Sequence, residues 1–240
     1  MQKIKSILFL PLLWVMTLII FVVMLPTLLM GRKQAYIVPI IWTKSVRWSL
    51  RLVGIKIDIK GLENLPKNQG YIVASKHQSA METLLFHTMV PNVFFIFKKS
   101  LMLIPLAGLY ALKTGCIPID RAGGAKTMRM MLTKAQKNLA KGLNLVIFPE
   151  GTRTKPGEKS PEYHPGIAFL YDHCKVPVVP VALNTGVFWP KNKVMKYPGT
   201  ACVHFLPPIQ PGMEKRAFLT KLQETIEAEQ EKLPTTWNEK

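Results

Sequence analysis

Seven short apolar runs punctuate the chain from residue 55 onward: GIKIDIKG, YIVAS, NVFFIF, GCIPID, NLVIFPEG, VPVVPVAL and ACVHFLPPI. They are rich in β-branched and aromatic residues and are bounded by turn formers, the signature of buried strands. Helix-like segments at 80–89, 101–112, 124–141 and 164–173 separate several of them. A last helix is expected in 212–232, where Phe218, Leu222 and Ile226 recur every four residues. The segment AKTMRMMLTKAQKNLAKG ends in a glycine suited to a helix C-terminus, and its five cations read as a solvated face. This alternation predicts an α/β domain over residues 55–240, with a mixed, largely parallel sheet flanked by helices. There is no internal repeat and no low-complexity segment.

Residues 1–54 follow a different pattern. Ile7 to Met30 is a run of 24 residues without a charge, between Lys3 and Lys5 on one side and Arg32 and Lys33 on the other. The apolar part of a signal peptide spans only about 7–15 residues and ends in small residues. This run is longer and ends in LPTLLMGRK, so an uncleaved anchor is expected. At about 1.5 Å per residue it is long enough for a hydrocarbon core of roughly 30 Å. Pro11 and Pro26, near its ends, are expected to shorten the continuous helix.

In the next segment, IIWTKSVRWSLRLVG, Lys44, Arg47 and Arg51 fall within about 60° on a helical wheel, opposite Trp42, Val46, Leu50 and Val53. Such stripes suit an interfacial helix whose cations meet lipid phosphates. A helix packed on the domain would show the same pattern. Basic residues gather after the apolar run, which keeps the rest of the chain on the cytoplasmic face of the membrane (the inner membrane in a bacterium).

Lysine and arginine outnumber aspartate and glutamate by 32 to 14, a net charge of +18. That excess favours an anionic partner such as membrane lipids, a phosphorylated substrate or nucleic acid. Nucleic acid is not expected, because no helix-turn-helix, zinc finger or aromatic RNA-binding motif accompanies the charge. Three scattered cysteines, Cys116, Cys174 and Cys202, form neither a zinc spacing nor a disulfide framework. No metal site is expected.

The informative polar residues stand where strands end. His77 follows YIVAS, Lys98 and Lys99 follow NVFFIF, Asp120 and Arg121 follow GCIPI, Glu150 to Arg153 follow NLVIF, and Asn184 follows VPVVPVAL. If the strands are parallel, these positions share one rim, the side on which open α/β sheets bind ligands. His77 and Glu82 are five residues apart, about 140° on a helix, so they meet only if His77 lies in the turn before the helix. Cations on such a rim suit a phosphate, and Gly151 relaxes a turn so that backbone N–H groups can face an anion.

KHQSAMETL, KKSLMLIPLAGLYALKTGCIPIDR, FPEGTR and VPVVPVALNTG occur in the order and at the spacing of the four blocks of the glycerolipid acyltransferases. The chain resembles this family over roughly residues 35–210, and most closely its 1-acyl-sn-glycerol-3-phosphate branch. The resemblance implies an N-terminal two-helix membrane element, with His77 as general base and Glu82 as its orienting acid. It groups Lys98, Arg121, Glu150, Gly151 and Arg153 at the acceptor's phosphate and puts Pro180 on the acyl-donor side. Two departures stand out: the acid is usually aspartate, and asparagine often precedes the histidine, where this chain has Lys76.

The implied reaction moves an acyl group from a thioester, acyl-CoA or acyl-carrier protein, to the sn-2 hydroxyl of lysophosphatidic acid. It needs no cofactor. An alcohol is a poor nucleophile near neutral pH, so a neutral imidazole that removes its proton suits the chemistry. No G-x-S-x-G elbow is present, so direct transfer is expected rather than an acyl-enzyme. A different acceptor remains open, either another lysophospholipid or glycerol 3-phosphate. So does a lipid hydrolase built on Ser79 and His77.

Overall fold

The computed structural model describes residues 1–104, 106–120, 123–158, 160 and 162–237. All seven expected strands form: β1 (Ile55–Lys60), β2 (Ile72–Ser75), β3 (Val93–Lys98), β4 (Ile117–Ile119), β5 (Asn144–Ile147), β6 (Val178–Leu183) and β7 (Gly199–Phe205). They make one sheet in the order β1-β7-β6-β2-β5-β3-β4. The pairs from β6 through β2, β5 and β3 to β4 are parallel, while β6 and β7 are antiparallel. β1 runs parallel to β7. The sheet is therefore mixed, with five adjacent strands sharing one C-terminal rim.

Helices α1 (Gln2–Val23) and α2 (Arg32–Leu52) precede the sheet. Between and after the strands lie α3 (Ala80–Met89), α4 (Ala107–Thr114), α5 (Gly124–Leu139), α6 (Gly166–Cys174), a short α7 (Thr185–Phe188) and α8 (Lys215–Gln230). Phe218, Leu222 and Ile226 of α8 are fully buried, as their spacing predicted. The three cysteines are free. Burial raises the thiol of Cys174 to about 11, so it remains protonated near neutral pH.

The apolar stripe of α2 calls for a correction. Val46, Leu50 and Val53 do not face lipid; they are buried in the same core as the sheet. Trp42 is partly buried, and its indole N–H donates to Thr17 of α1 at 2.8 Å. Periodicity reports an apolar face but not whether lipid or protein covers it.

α1 is the one helix among the described residues long and apolar enough to cross a membrane. Ile4, Ile7, Leu8, Trp14 and Leu18 line its exposed side. Pro11 lies inside it without ending it, whereas Pro26 falls in the 3-10 turn Leu25–Leu28 beyond it.

Both ends of α1 are fastened to the same domain. At the start, Gln2 Nε2 donates to the carbonyls of Val53 and Lys196 at 2.9 and 2.8 Å, and Ser6 Oγ accepts the Lys196 N–H at 3.0 Å. At the far end Phe21 packs on Tyr110 of α4, with ring centroids 5.2 Å apart. A helix of 22 residues is about 33 Å long, and both of its ends rest on this domain.

Candidate active site

The strand β2 ends at Ser75, and the chain turns through Lys76, His77 and Gln78 before entering α3. Ser79 caps that helix: its Oγ accepts the Met81 N–H at 3.1 Å, and Glu82 folds back as the second half of a capping box. Oε1 of Glu82 accepts the N–H groups of Ser79 and Gln78 at 2.8 and 2.9 Å and stands 2.8 Å from His77 Nδ1. Its Oε2 accepts the Thr185 hydroxyl at 2.6 Å. In the neutral ring, a carboxylate fixed by these donors holds the proton on Nδ1 and leaves the lone pair on Nε2. The His77 side chain is 16% exposed, and its ring stacks on Phe148 with centroids 4.1 Å apart.

The turn after β5 wraps the other side of His77. Thr154 N–H donates to the His77 carbonyl at 2.9 Å, and Glu150 Oε2 accepts the His77 N–H at 2.7 Å. Glu150 is 1% exposed, and its Oε1 accepts from Thr154 Oγ1 at 3.0 Å and Ser160 Oγ at 2.6 Å, with Lys76 Nζ at 3.0 Å. The expectation that Glu150 binds phosphate is therefore corrected. A buried carboxylate engaged on both oxygens offers no donor to an anion, and its charge repels one. Gly151 has φ +65°, and a Cβ there would lie 2.4 Å from the His164 ring, so the turn requires glycine. The Gly151 N–H closes onto the Phe148 carbonyl at 3.0 Å instead of pointing outward.

The remaining expected residues distribute along the rim. Register aligns Val73, Val146 and Phe95 across β2, β5 and β3, which sets Lys98 level with Lys76. Two strand spacings put their backbones about 10 Å apart. Lys98 is exposed, and Arg153 is half-buried next to the Thr154 that holds His77. Arg121 lies outside the described residues. Pro180 pairs with Ala74 inside the sheet and is buried, about 10 Å below the level of His77. Its carbonyl accepts from Leu206 N–H at 2.9 Å. Asn184 is internal too, since its Oδ1 accepts the Cys202 N–H at 2.8 Å.

A family model described as acyltransferase matches residues 56–184, more than half of the chain. The chain belongs to the acyltransferase family. A 1-acyl-sn-glycerol-3-phosphate acyltransferase of Pseudomonas aeruginosa is 31% identical over 188 residues, 78% of this chain and 72% of that protein. The human protein named 1-acyl-sn-glycerol-3-phosphate acyltransferase alpha is 31% identical over 66% of this chain and 56% of its own length. In fold, this acyltransferase matches the crystal structure of the 1-acyl-sn-glycerophosphate (LPA) acyltransferase of Thermotoga maritima. The TM-score is 0.82 with 22% identity, over the full length of both chains.

Ser79 is not placed as a nucleophile in this acyltransferase. It is fully buried, and besides capping α3 its hydroxyl donates to the Trp189 carbonyl at 2.7 Å. Ser79→Ala is expected to cost about 0.5–2 kcal/mol of stability through the lost cap while retaining appreciable transfer activity. Complete loss of transfer in a folded S79A protein would restore the acyl-enzyme alternative.

Trp189 also links the site to α1. Its ring meets Phe9 edge-on at 5.0 Å, and the Lys196 ammonium lies 5.0 Å from its centroid. Burial pulls that ammonium down to about 8, and it is held by the Val194 carbonyl at 2.7 Å. Sequence reading missed Phe148, Thr154 and Thr185 as parts of the site, although all three lie in or beside the FPEGTR and VALNTG motifs.

Proposed function

We propose that the chain acylates the sn-2 hydroxyl of 1-acyl-sn-glycerol 3-phosphate, with acyl-CoA or acyl-carrier protein as donor, and so makes phosphatidic acid for phospholipid synthesis. The observation that carries this reading is the 2.8 Å contact between His77 Nδ1 and a Glu82 carboxylate braced on both oxygens. Nε2 of His77 takes the hydroxyl proton as the oxygen attacks the thioester carbonyl, and Glu82 stabilises the imidazolium that forms. The tetrahedral intermediate expels the thiolate, which recovers the proton from His77. The acceptor supplies the attacking oxygen, so no protein nucleophile takes part. Arg153, Lys98 and Arg121 hold the acceptor phosphate, with arginine as the bidentate partner.

Membrane association follows from α1. Fastened at both ends, it lies along the domain with its apolar side in one leaflet, and the net charge of +18 draws the surface toward anionic lipid. A lysolipid acceptor then reaches the rim from the leaflet.

An assay of the purified protein against a panel of lysolipids and glycerol 3-phosphate, with both thioester donors and products read by mass spectrometry, tests the assignment. Phosphatidic acid from lysophosphatidic acid is expected as the main product; preference for an acceptor without a phosphomonoester would contradict it. In the same assay Arg153→Ala is expected to raise the acceptor KM about tenfold or more with kcat changed less. Unchanged acceptor kinetics would remove Arg153 from the phosphate site.

A further inference from the structure

Lys76 carries a buried charge that the chemistry above does not use. It is 1% exposed, and its Nζ sits 3.0 Å from Glu150 Oε1 and 2.8 and 3.1 Å from the two carboxylate oxygens of Glu227. It also donates to the Ser160 hydroxyl. Tyr163 completes the group, its hydroxyl donating to Glu227 Oε1 at 3.1 Å. Burial, and then the charges of Glu227 and Glu150, push the Tyr163 phenol far up, so it remains a donor. One ammonium thus serves two carboxylates.

Glu150 is the first of these carboxylates, and its other oxygen holds the His77 N–H at 2.7 Å. The second, Glu227, stands on α8, 151 residues from Lys76 in sequence, and α8 is clamped to the core by Phe218, Leu222 and Ile226. A path of direct contacts therefore runs from α8 through Glu227, Lys76 and Glu150 to the backbone of the histidine. Lysine fits here because a single neutral side chain would leave two acids facing one another inside the protein, a costly arrangement.

We propose that Lys76 and Glu227 are positioning residues: through Glu150 they set the backbone of His77, so the C-terminal helix governs turnover without touching substrate. This rests on the reading of His77 as the base. Lys76 is buried and its partner Glu227 stands on α8, so their loss is expected to act on kcat and not on KM.

The test uses the full-length protein in vesicles, comparing Lys76→Asn, Glu227→Gln and the double variant. K76N is expected to lower kcat roughly 10- to 100-fold, the scale of a lost charge-assisted bond, with both KM values within about twofold of wild type. Adding E227Q removes the surplus carboxylate and is expected to recover at least about fivefold of that loss, a coupling that independent residues do not show. Wild-type kcat in K76N, a loss confined to KM, or a double variant no better than K76N would each overturn the proposal. Should K76N not accumulate as folded protein, E227Q alone decides. A kcat reduced about threefold or more at unchanged KM supports the proposal, and an unchanged kcat overturns it. His77→Ala, measured in parallel, separates the two ideas. An inactive H77A beside a fully active K76N sinks the positioning role alone, whereas an active H77A sinks the reading beneath it.

Discussion

Replacing His77 by alanine is expected to lower kcat by about 10²- to 10⁴-fold, the usual contribution of a general base, while binding to vesicles is unchanged. Among the described residues of the rim, His77 is the imidazole whose Nδ1 meets a buried carboxylate, which leaves Nε2 of the neutral ring to take the proton. Its removal leaves the turn's backbone in place but loses the ring's stack on Phe148 and its bond to Glu82. The bonds that hold the turn, Glu150 to the His77 N–H and Thr154 to its carbonyl, belong to the backbone and survive the substitution. The loss should therefore appear mainly in kcat, with the protein still folded and its melting temperature lowered by the lost stack and bond. Transfer above about a tenth of the wild-type rate would exclude the assigned role.

The second large effect is expected at Glu82, and two variants divide it. Alanine leaves the buried N–H groups of Gln78 and Ser79 and the hydroxyl of Thr185 without their acceptor, at about 1–3 kcal/mol for each unsatisfied group. E82A should thus lose stability as well as most of its turnover. Glutamine preserves the geometry. The N–H donors require its carbonyl oxygen at the Oε1 position, so its amide nitrogen meets Thr185, whose hydroxyl turns to accept. E82Q therefore removes charge while keeping orientation, and it is expected to fold normally with kcat down roughly 10- to 100-fold. Equal activity in E82Q and wild type, measured as kcat in the same vesicles, would show that Glu82 only orients the ring.

Much of this was legible in the sequence because the signals are local. The seven strands follow from short β-branched runs, and the polar residues behind them mark the rim once the strands are parallel. That His77 precedes the helix follows from helical geometry once it is to meet Glu82, and the structure adds the Ser79–Glu82 capping box that starts α3 there.

What escaped is set by long-range contact. Glu150 read as a pocket residue because the resemblance groups the FPEGTR block at the acceptor's phosphate, yet its side chain turns inward to the His77 N–H. Lys76 was visible only as a departure from the usual asparagine, since nothing local reveals a carboxylate on the last helix. The apolar stripe of α2 was ambiguous for a physical reason: Val46 and Leu50 are equally at home against acyl chains or against the core.

The direct-transfer chemistry is tested most plainly by incubating the purified protein with an acyl thioester alone, then adding lysophosphatidic acid, and recording free thiol, lipid products and intact protein mass throughout. Before the acceptor arrives, the protein mass should stay unmodified and no thiol should appear. Afterward, thiol and phosphatidic acid should accumulate in equal amounts. Free fatty acid, or a protein heavier by one acyl chain, in the acceptor-free stage would contradict the account.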